Sequence, residues 1–322
     1  MKLRWSAVRE LDVPGAVARA RAIARAVEES GEPWVATTLV SGQALVLGAL
    51  QRERQVRQRH ADLRMYRAET RSTTGVSLLV SEGAVQQLIV VPRVNGLFGD
   101  ASAGNFINRT VRGFLRAYNG CGAKAHYFGR EHFTLSRRPA GVLGLDVTSG
   151  GVWILEAWVG LEAATALDEF NGHSPIGLRE ALRQARSKRA EDSAGVLVER
   201  LHERLRGAFE VPAEAAPSEE PERIEDDPSG PEGIQDSDVH FAQREVPIGV
   251  LELGCKVAEP SGSFDVRCRG DVLTSVAAVR DLERRLQGGA RAEALEALAG
   301  VPWEGARPGD LEALIEGLPL IS

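Results

Sequence analysis

Between residues 67 and 150 the chain carries the side chains best suited to holding a small anion. One group is Thr70-Arg71-Ser72-Thr73-Thr74-Gly75-Val76. The other is Phe128-Gly129-Arg130-Glu131-His132, followed closely by Arg137-Arg138-Pro139-Ala140-Gly141. Arg71 presents a planar fork of N–H donors that matches a carboxylate or a phosphate. The alternative is a surface or salt-bridged arginine, because the basic residues here are nearly all Arg, with lysine only at Lys2, Lys124, Lys188 and Lys256. Gly75 either brings backbone N–H groups close to a ligand or serves as a plain turn glycine. Arg138 keeps a positive charge but spreads it over a plane, so it holds an anion differently from lysine. Arg137 is the neighbour that could slip into the same place. His132 reads as a satisfied strand histidine before it reads as a base. Cys121 sits at a helix end with no histidine beside it in sequence, and Trp153 and Trp158 read as packing residues.

The elements that must position these residues follow from periodicity. Pro14 suits a first helical turn, Ala16, Ala20, Ile23 and Val27 share a face, and Gly31 stops the run. Residues 33–39 and 44–47 read as strands joined at Ser41-Gly42. Residues 51–64 read as an exposed helix with Val56 and Leu63 turned inward. Residues 77–80 and 85–91 read as a β-hairpin about Ser81-Glu82-Gly83, its second arm buried. A helix spans 105–118, and short strands fall at 126–128, 133–135, 142–147 and 151–159. Helices are expected at 163–170, at 176–189 behind Ser174-Pro175, and at 194–209. Beyond these, 247–258 and 263–269 alternate like hairpin arms. Ser275 caps a helix carrying Val279, Leu282 and Leu286, and further helices are expected at 292–299 and 308–317.

The 322 residues exceed one ordinary domain, and 43% hydrophobic content supports real cores. A net charge of -6 argues against a general nucleic-acid binder. Three cysteines without metal spacing point to a reduced, cytoplasmic compartment. No apolar run reads as a signal peptide or membrane span. The division expected is a domain over 1–210, an acidic Pro/Glu-rich disordered linker over 211–245 and a small α+β domain over 246–322.

In this order the pieces resemble the lipoate-protein ligase family, of the biotin and lipoate ligase superfamily. Val46-Leu47-Gly48-Ala49-Leu50-Gln51 is similar to the family's V-x-G-x-x-Q. Arg71 through Gly75 falls where the family carries an arginine and a triple-glycine turn, of which one glycine survives. Gly129-Arg130-Glu131-His132 resembles its G-R-N-D, and Arg138-Pro139-Ala140-Gly141 its lysine-x-x-glycine turn. Gly270-Asp271-Val272-Leu273-Thr274-Ser275 resembles the G-D-F-F-x-S turn of its accessory domain. The resemblance implies an α/β (α+β) fold: a mixed-sheet ligase-like catalytic domain with a small α+β accessory domain. It implies ATP, Mg²⁺ and lipoate or a related acyl acid as reactants, an acyl-adenylate intermediate, and a lipoyl-domain-type acceptor protein whose lysine receives the acyl group. On this resemblance Arg138 takes the catalytic lysine's place. Arg71, Thr73, Thr74, Gly75, Arg137 and Gly141 hold substrate or adenylate, and Glu131 offers the metal a hard oxygen. The missing lysine and glycines also admit a non-catalytic descendant that binds an acyl ligand or a partner protein.

Overall fold

The computed structural model describes residues 3–210, 217–219, 240–258, 263–287, 303 and 308–316. The N-terminal unit is built on a mixed sheet in the order β1-β3-β7-β11-β10-β9-β8, with β2 (Arg9–Asp12) pairing β3. Its strands are β1 (Arg4–Trp5), β3 (Trp34–Ser41), β7 (Ala84–Val91), β8 (Ala125–Tyr127), β9 (His132–Leu135), β10 (Arg138–Val147) and β11 (Trp153–Gly160). Every residue of β7 and β11 is buried. Both faces are covered, and that is why these strands read as continuous apolar runs rather than alternating ones.

Helix α1 (Val13–Ser30) lies on one face. Its first turn is closed by Asp12, whose side chain accepts from Gly15 N, and its end by Gly31 at φ 66°. Ala20, Ile23, Ala24 and Val27 pack on Trp34, Leu88, Val90 and Ile154. On the other face α3 (Phe106–Gly120) and α5 (Ala194–Ala208) cover Val35, Ile89, Leu155 and Ala157 with Phe114, Leu197, Leu201 and Leu205. Each such buried aliphatic side chain contributes about 1.5–3 kcal/mol.

A second small sheet, β5-β4-β6, comprises β4 (Ala44–Leu47), β5 (Ala68–Thr70) and β6 (Leu78–Val80). Here the hairpin expected about Ser81-Glu82-Gly83 is corrected. β6 pairs β4, whereas β7 pairs β3 and β11. Val40 faces Ala84 and Ala44 faces Val80, so one register runs through both pairings. β3–β4 and β6–β7 are thus the two arms of one long ribbon, bent at the same level where the turn residues sit. Between them α2 (Glu53–Arg59) buries Val56 and a following 3₁₀ turn buries Leu63, as expected.

The helix expected at 163–170 does not form; the stretch runs irregularly over the sheet. Thr165 is fully buried there, its hydroxyl shared between the carbonyls of Ala140 and Trp158. Its own carbonyl accepts from Leu79 N. These tertiary bonds override a weak local propensity. Helix α4 (Leu178–Gln184) starts behind Gly177 rather than Ser174.

The C-terminal unit has the sheet β12-β13-β14, with β12 (His240–Val246), β13 (Gly249–Ala258) and β14 (Ser263–Gly270). It is covered by α6 (Val276–Gln287) and α7 (Pro308–Glu316). β12 therefore begins inside the stretch expected as linker; the rest of that stretch, apart from 217–219, and the helix expected at 292–299 lie outside the described residues. Leu251, Leu253, Val266, Val279, Leu282 and Leu314 form its core. Among the described residues no helix is long and apolar enough to cross a membrane.

Candidate functional site

Three of the quoted motifs meet at one place. The V-x-G-x-x-Q run ends β4 and turns at Gly48, where an added Cβ would overlap the Gly75 carbonyl. Gln51 accepts from Gly48 N at 2.8 Å and donates to Asp271 in the accessory unit. Asp271 is 1% exposed and also accepts from Arg59 Nη1 at 2.7 Å and Val250 N at 2.9 Å. Glycine and glutamine are needed at this spacing because one permits the backbone approach and the other bridges two units.

The Thr73-Thr74-Gly75 loop fills the space between β10 and the accessory unit. Thr74 N donates to Leu145 O at 2.7 Å. Its hydroxyl lies between the carbonyls of Leu145 (2.7 Å) and Thr274 (2.9 Å) and accepts from Thr274 N at 2.8 Å. Gly75 has φ 113°, and a Cβ there would stand 2.8 Å from Leu143 O and 2.9 Å from both Arg71 Nη2 and Leu273 Cδ2. The direction in which this glycine could admit a ligand is therefore occupied by protein. Ser275 and Asp146 complete the junction: Ser275 Oγ donates to Val147 O at 2.6 Å, and Asp146 Oδ1 accepts from Val276 N, the first residue of α6, at 2.9 Å. Burial pushes the Asp146 carboxyl up to about 7, against hydrogen bonds from Val276 and Val147 and the Arg280 charge.

Arg71 is 1% exposed. Its Nη2 donates to the carbonyls of Val76 (2.9 Å), Thr74 (3.2 Å) and Leu143 (3.3 Å), and its Nη1 lies 3.5 Å from Glu156 Oε1. Burial pulls the guanidinium below the ordinary arginine range and the Glu156 charge pulls it back. Glu156, on β11 and 1% exposed, also accepts from Thr73 Oγ1 and, at 3.0 Å, from Gln86 Nε2. Gly144 faces this carboxylate, and a Cβ there would overlap Thr73 Oγ1. The network continues through Thr38, whose hydroxyl donates to Gln86 Oε1 at 3.4 Å and accepts from Arg19 Nη1 at 2.8 Å. Sequence reasoning missed Glu156. The signal was a lone carboxylate in the apolar run Trp153-Ile154-Leu155-Glu156-Ala157-Trp158, which is buried only when paired.

The second loop does not converge on the first. Arg138 donates to Ser174 O (2.7 Å), Pro175 O (2.8 Å) and Glu180 Oε1 (2.6 Å), and it shares no partner with Arg71. Leu143, which Arg71 touches, lies five residues further along β10, roughly 16 Å at a strand's rise. Arg137 sits exposed at the β9–β10 turn, where Ser136 and Arg137 have φ 50° and 69°, the signature of a type I′ hairpin. Gly141 is a packing glycine, since a Cβ would overlap the Phe133 ring. Glu131 is held by Arg130 Nε (2.8 Å) and His132 Nδ1 (3.1 Å). Burial alone would raise its carboxyl, but these hydrogen bonds and charges hold it below the usual range. His132 meets the Phe170 ring edge-on at 5.0 Å. Cys121 is a free, buried thiol that burial pushes up. Among the described residues no group of three or more His, Cys, Asp or Glu could hold a metal ion. Glu131's carboxylate is thus engaged by Arg130 and His132, and the Cβ side of Gly75 is filled by Leu143, Arg71 and Leu273.

No family model matches the sequence, and no curated protein matches it. Solved structures do. LipL1 of P. falciparum in complex with lipoate aligns over 98% of this chain and 95% of its own, at 12% identity and a TM-score of 0.61. Lipoate-protein ligase A bound with ATP covers 65% of this chain and 94% of its own, at 11% identity and a TM-score of 0.43. A biotin protein ligase from Leishmania major in complex with biotin covers 81% and 94%, at 11% identity and a TM-score of 0.36. The mixed sheet and the near-complete overlay on lipoate-bound LipL1 together show that this protein has the fold of that lipoate-bound chain.

Proposed function

We propose that this chain is a non-catalytic member of that fold, which binds a partner protein rather than activating an acyl acid. The observation that carries the reading is the internal use of the Arg71–Gly75 loop. Glu156 neutralises Arg71, the Thr74 hydroxyl joins β10 to the accessory unit, and Leu273 stands where a ligand would approach Gly75. An adenylate-forming site needs donors preorganised toward charge that develops on the substrate. Arg71 Nη2 is already engaged by three backbone carbonyls and its charge is paired with Glu156, although its buried Nε and Nη1 make no hydrogen bond among the described residues. Arg138, the residue in the family lysine's place, is bound to two carbonyls and Glu180 instead.

A second reading is ATP-dependent ligation of lipoate or a related acyl acid to an acceptor protein. The overlay of both units on lipoate-bound LipL1 favours it. In that reading the accessory unit swings away, withdraws Leu273 and Thr274, and opens the loop. ATP–pyrophosphate exchange with lipoate, octanoate or biotin separates the two. The partner-binding reading expects no exchange with any acid and no heat of lipoate binding in calorimetry. Exchange above a no-acid control would refute it and establish the ligase, after which Arg138→Ala would test the arginine's part.

A further inference from the structure

A strand at the edge of a sheet presents a row of unpaired N–H and C=O groups that recruits other strands unless it is covered. Most edges in this protein are covered. On β8 the Asn119 side chain donates to Ala125 O at 3.1 Å and accepts from Ala125 N at 2.9 Å. On β14, Gly270 N donates to Leu50 O at 2.8 Å, Cys268 N donates to Glu283 at 2.8 Å, and Gln287 donates to Val266 O at 3.4 Å. The Thr165 carbonyl closes β6 at Leu79 N, Arg21 closes β5 at the Thr70 carbonyl, and Ser218 N closes β1 at the Trp5 carbonyl. β2 is blunted by its length of four residues and by Arg9, Glu10 and Asp12.

β12 has no such cover. Both backbone groups of Val250 are taken by Asp271, at the end of β14, through Asp271 N at 2.8 Å and the Asp271 carboxylate at 2.9 Å. Alternation along β13 therefore gives Gly249, Leu251 and Leu253 to β12. Their partners are Val246, Arg244 and Ala242, so the N–H and C=O of Phe241, Gln243 and Glu245 point outward. Among the described residues none of these groups has a partner. The pairing with β13 carries no bulge across the seven residues of β12. Arg244 is held on one face by Asp310 of α7 at 2.6 Å. On the other face Gln243 donates to Glu252 at 2.7 Å, and the Arg52 guanidinium stands 3.8 Å from the Phe241 ring centre. Glu245 is exposed and has no ion-pair partner among the described residues.

We propose that β12 pairs antiparallel with β12 of a second copy of this chain, joining two three-stranded sheets about a two-fold axis through Gln243. Outward groups must meet outward groups, so the allowed registers step by two residues. Centred on Gln243, all seven residues of the strand are paired, and Phe241, Gln243 and Glu245 each exchange both backbone bonds. Glu245 then lies opposite the partner's Phe241, about 5.5 Å away between Cα atoms. That places its carboxylate beside the partner's Arg52, and the same pairing recurs across the axis. Centred on Arg244, the two arginines would face each other, which is destabilising, and two residues of each strand would go unpaired. This association is separate from the functional reading above and holds whether the chain ligates or only binds.

The test is the mass of the full chain in solution, by sedimentation over a dilution series, where a two-chain species is expected that dissociates on dilution. Gln243→Pro removes the donor at the axis and leaves the bonds to β13 intact. It is expected to weaken the dimer about tenfold or more, with the melt of the dilute monomer unchanged. Glu245→Arg, at an exposed position that spares the fold, sets like charges together and is expected to weaken it about as much. Gln243→Cys is expected to cross-link under copper–phenanthroline oxidation, because its Cα atoms would be about 5.5 Å apart, whereas Arg244→Cys and the wild type are not. A chain that is monomeric at every concentration overturns the inference and leaves the edge to a strand of another protein. A dimer that ignores both Gln243→Pro and Glu245→Arg, or that cross-links through Arg244→Cys and not Gln243→Cys, overturns it as well.

Discussion

Replacing Asp146 by asparagine is expected to stabilise the protein at pH 8 and to leave it nearly unchanged at pH 4. Asp146 is buried at the junction of the two units, and its Oδ1 accepts from Val276 N at 2.9 Å. Asparagine keeps that oxygen and loses the charge. Burial raises the carboxyl from 3.8 to about 7. That is about three pKa units, or about 4 kcal/mol at 1.36 kcal/mol each. The sign follows from linkage. A raised folded-state value means the contribution is fully present below about pH 4, where both states hold the proton. It is lost as pH rises through about 7, because the unfolded chain ionises first. Above that, the wild type carries a buried carboxylate that the Arg280 charge and two backbone N–H groups compensate only in part. Urea unfolding of both chains at pH 4, 6 and 8 gives the difference directly, and the other titrating groups cancel in it. A difference that is the same at every pH, or a wild type that gains on the variant as pH rises, would refute the reasoning.

Glu156→Ala leaves Arg71 buried without its counter-charge and is expected to destabilise by about 3–5 kcal/mol, while Arg71→Met/Glu156→Leu recovers much of the loss in the same urea experiment. Gly75→Ala combines a strained φ of 113° with contacts near 2.9 Å, and a drop in stability of about 2 kcal/mol or more is expected by thermal unfolding. Leu273→Ala empties a side chain that is 1% exposed and should cost about 2–5 kcal/mol. Arg138→Ala removes a partly exposed ion pair and is expected to cost about 1 kcal/mol or less on that account. A large loss there, without catalysis, would show that the Ser174 and Pro175 carbonyls depend on it.

Local chemistry made much of this fold legible. Pro14 and Gly31 bound α1 because a first-turn proline and a left-handed stop act within a few residues. Ser275 marks α6 in the same way, its hydroxyl accepting from Ala278 N at 3.2 Å. The convergence of Gln51, Gly75 and Asp271 was legible only as a resemblance, since no local rule brings residues 220 apart together. Ser81-Glu82-Gly83 misled because a turn signal states that the chain changes direction, not which strand it then joins. Residues 163–170 misled because Thr165 finds three tertiary bonds. For Arg71 an anion clamp and a salt-bridged arginine are both open from sequence, and Arg138 and Glu131 read as an anion-holding cation and a metal ligand; which carboxylate or carbonyl claims each is decided by the packed sheet alone.

The bent ribbon ties two distant loops to a common length. Because one pairing scheme continues through residues 41–43 and 81–83, neither connection can change size by itself. A single extra residue in the first would turn β4 over relative to β6, exchanging Leu45 and Val46 between the two buried clusters they fill. Any homologous chain that lengthens one bend must therefore lengthen the other by the same amount, and loop grafts into this protein will succeed only in matched pairs.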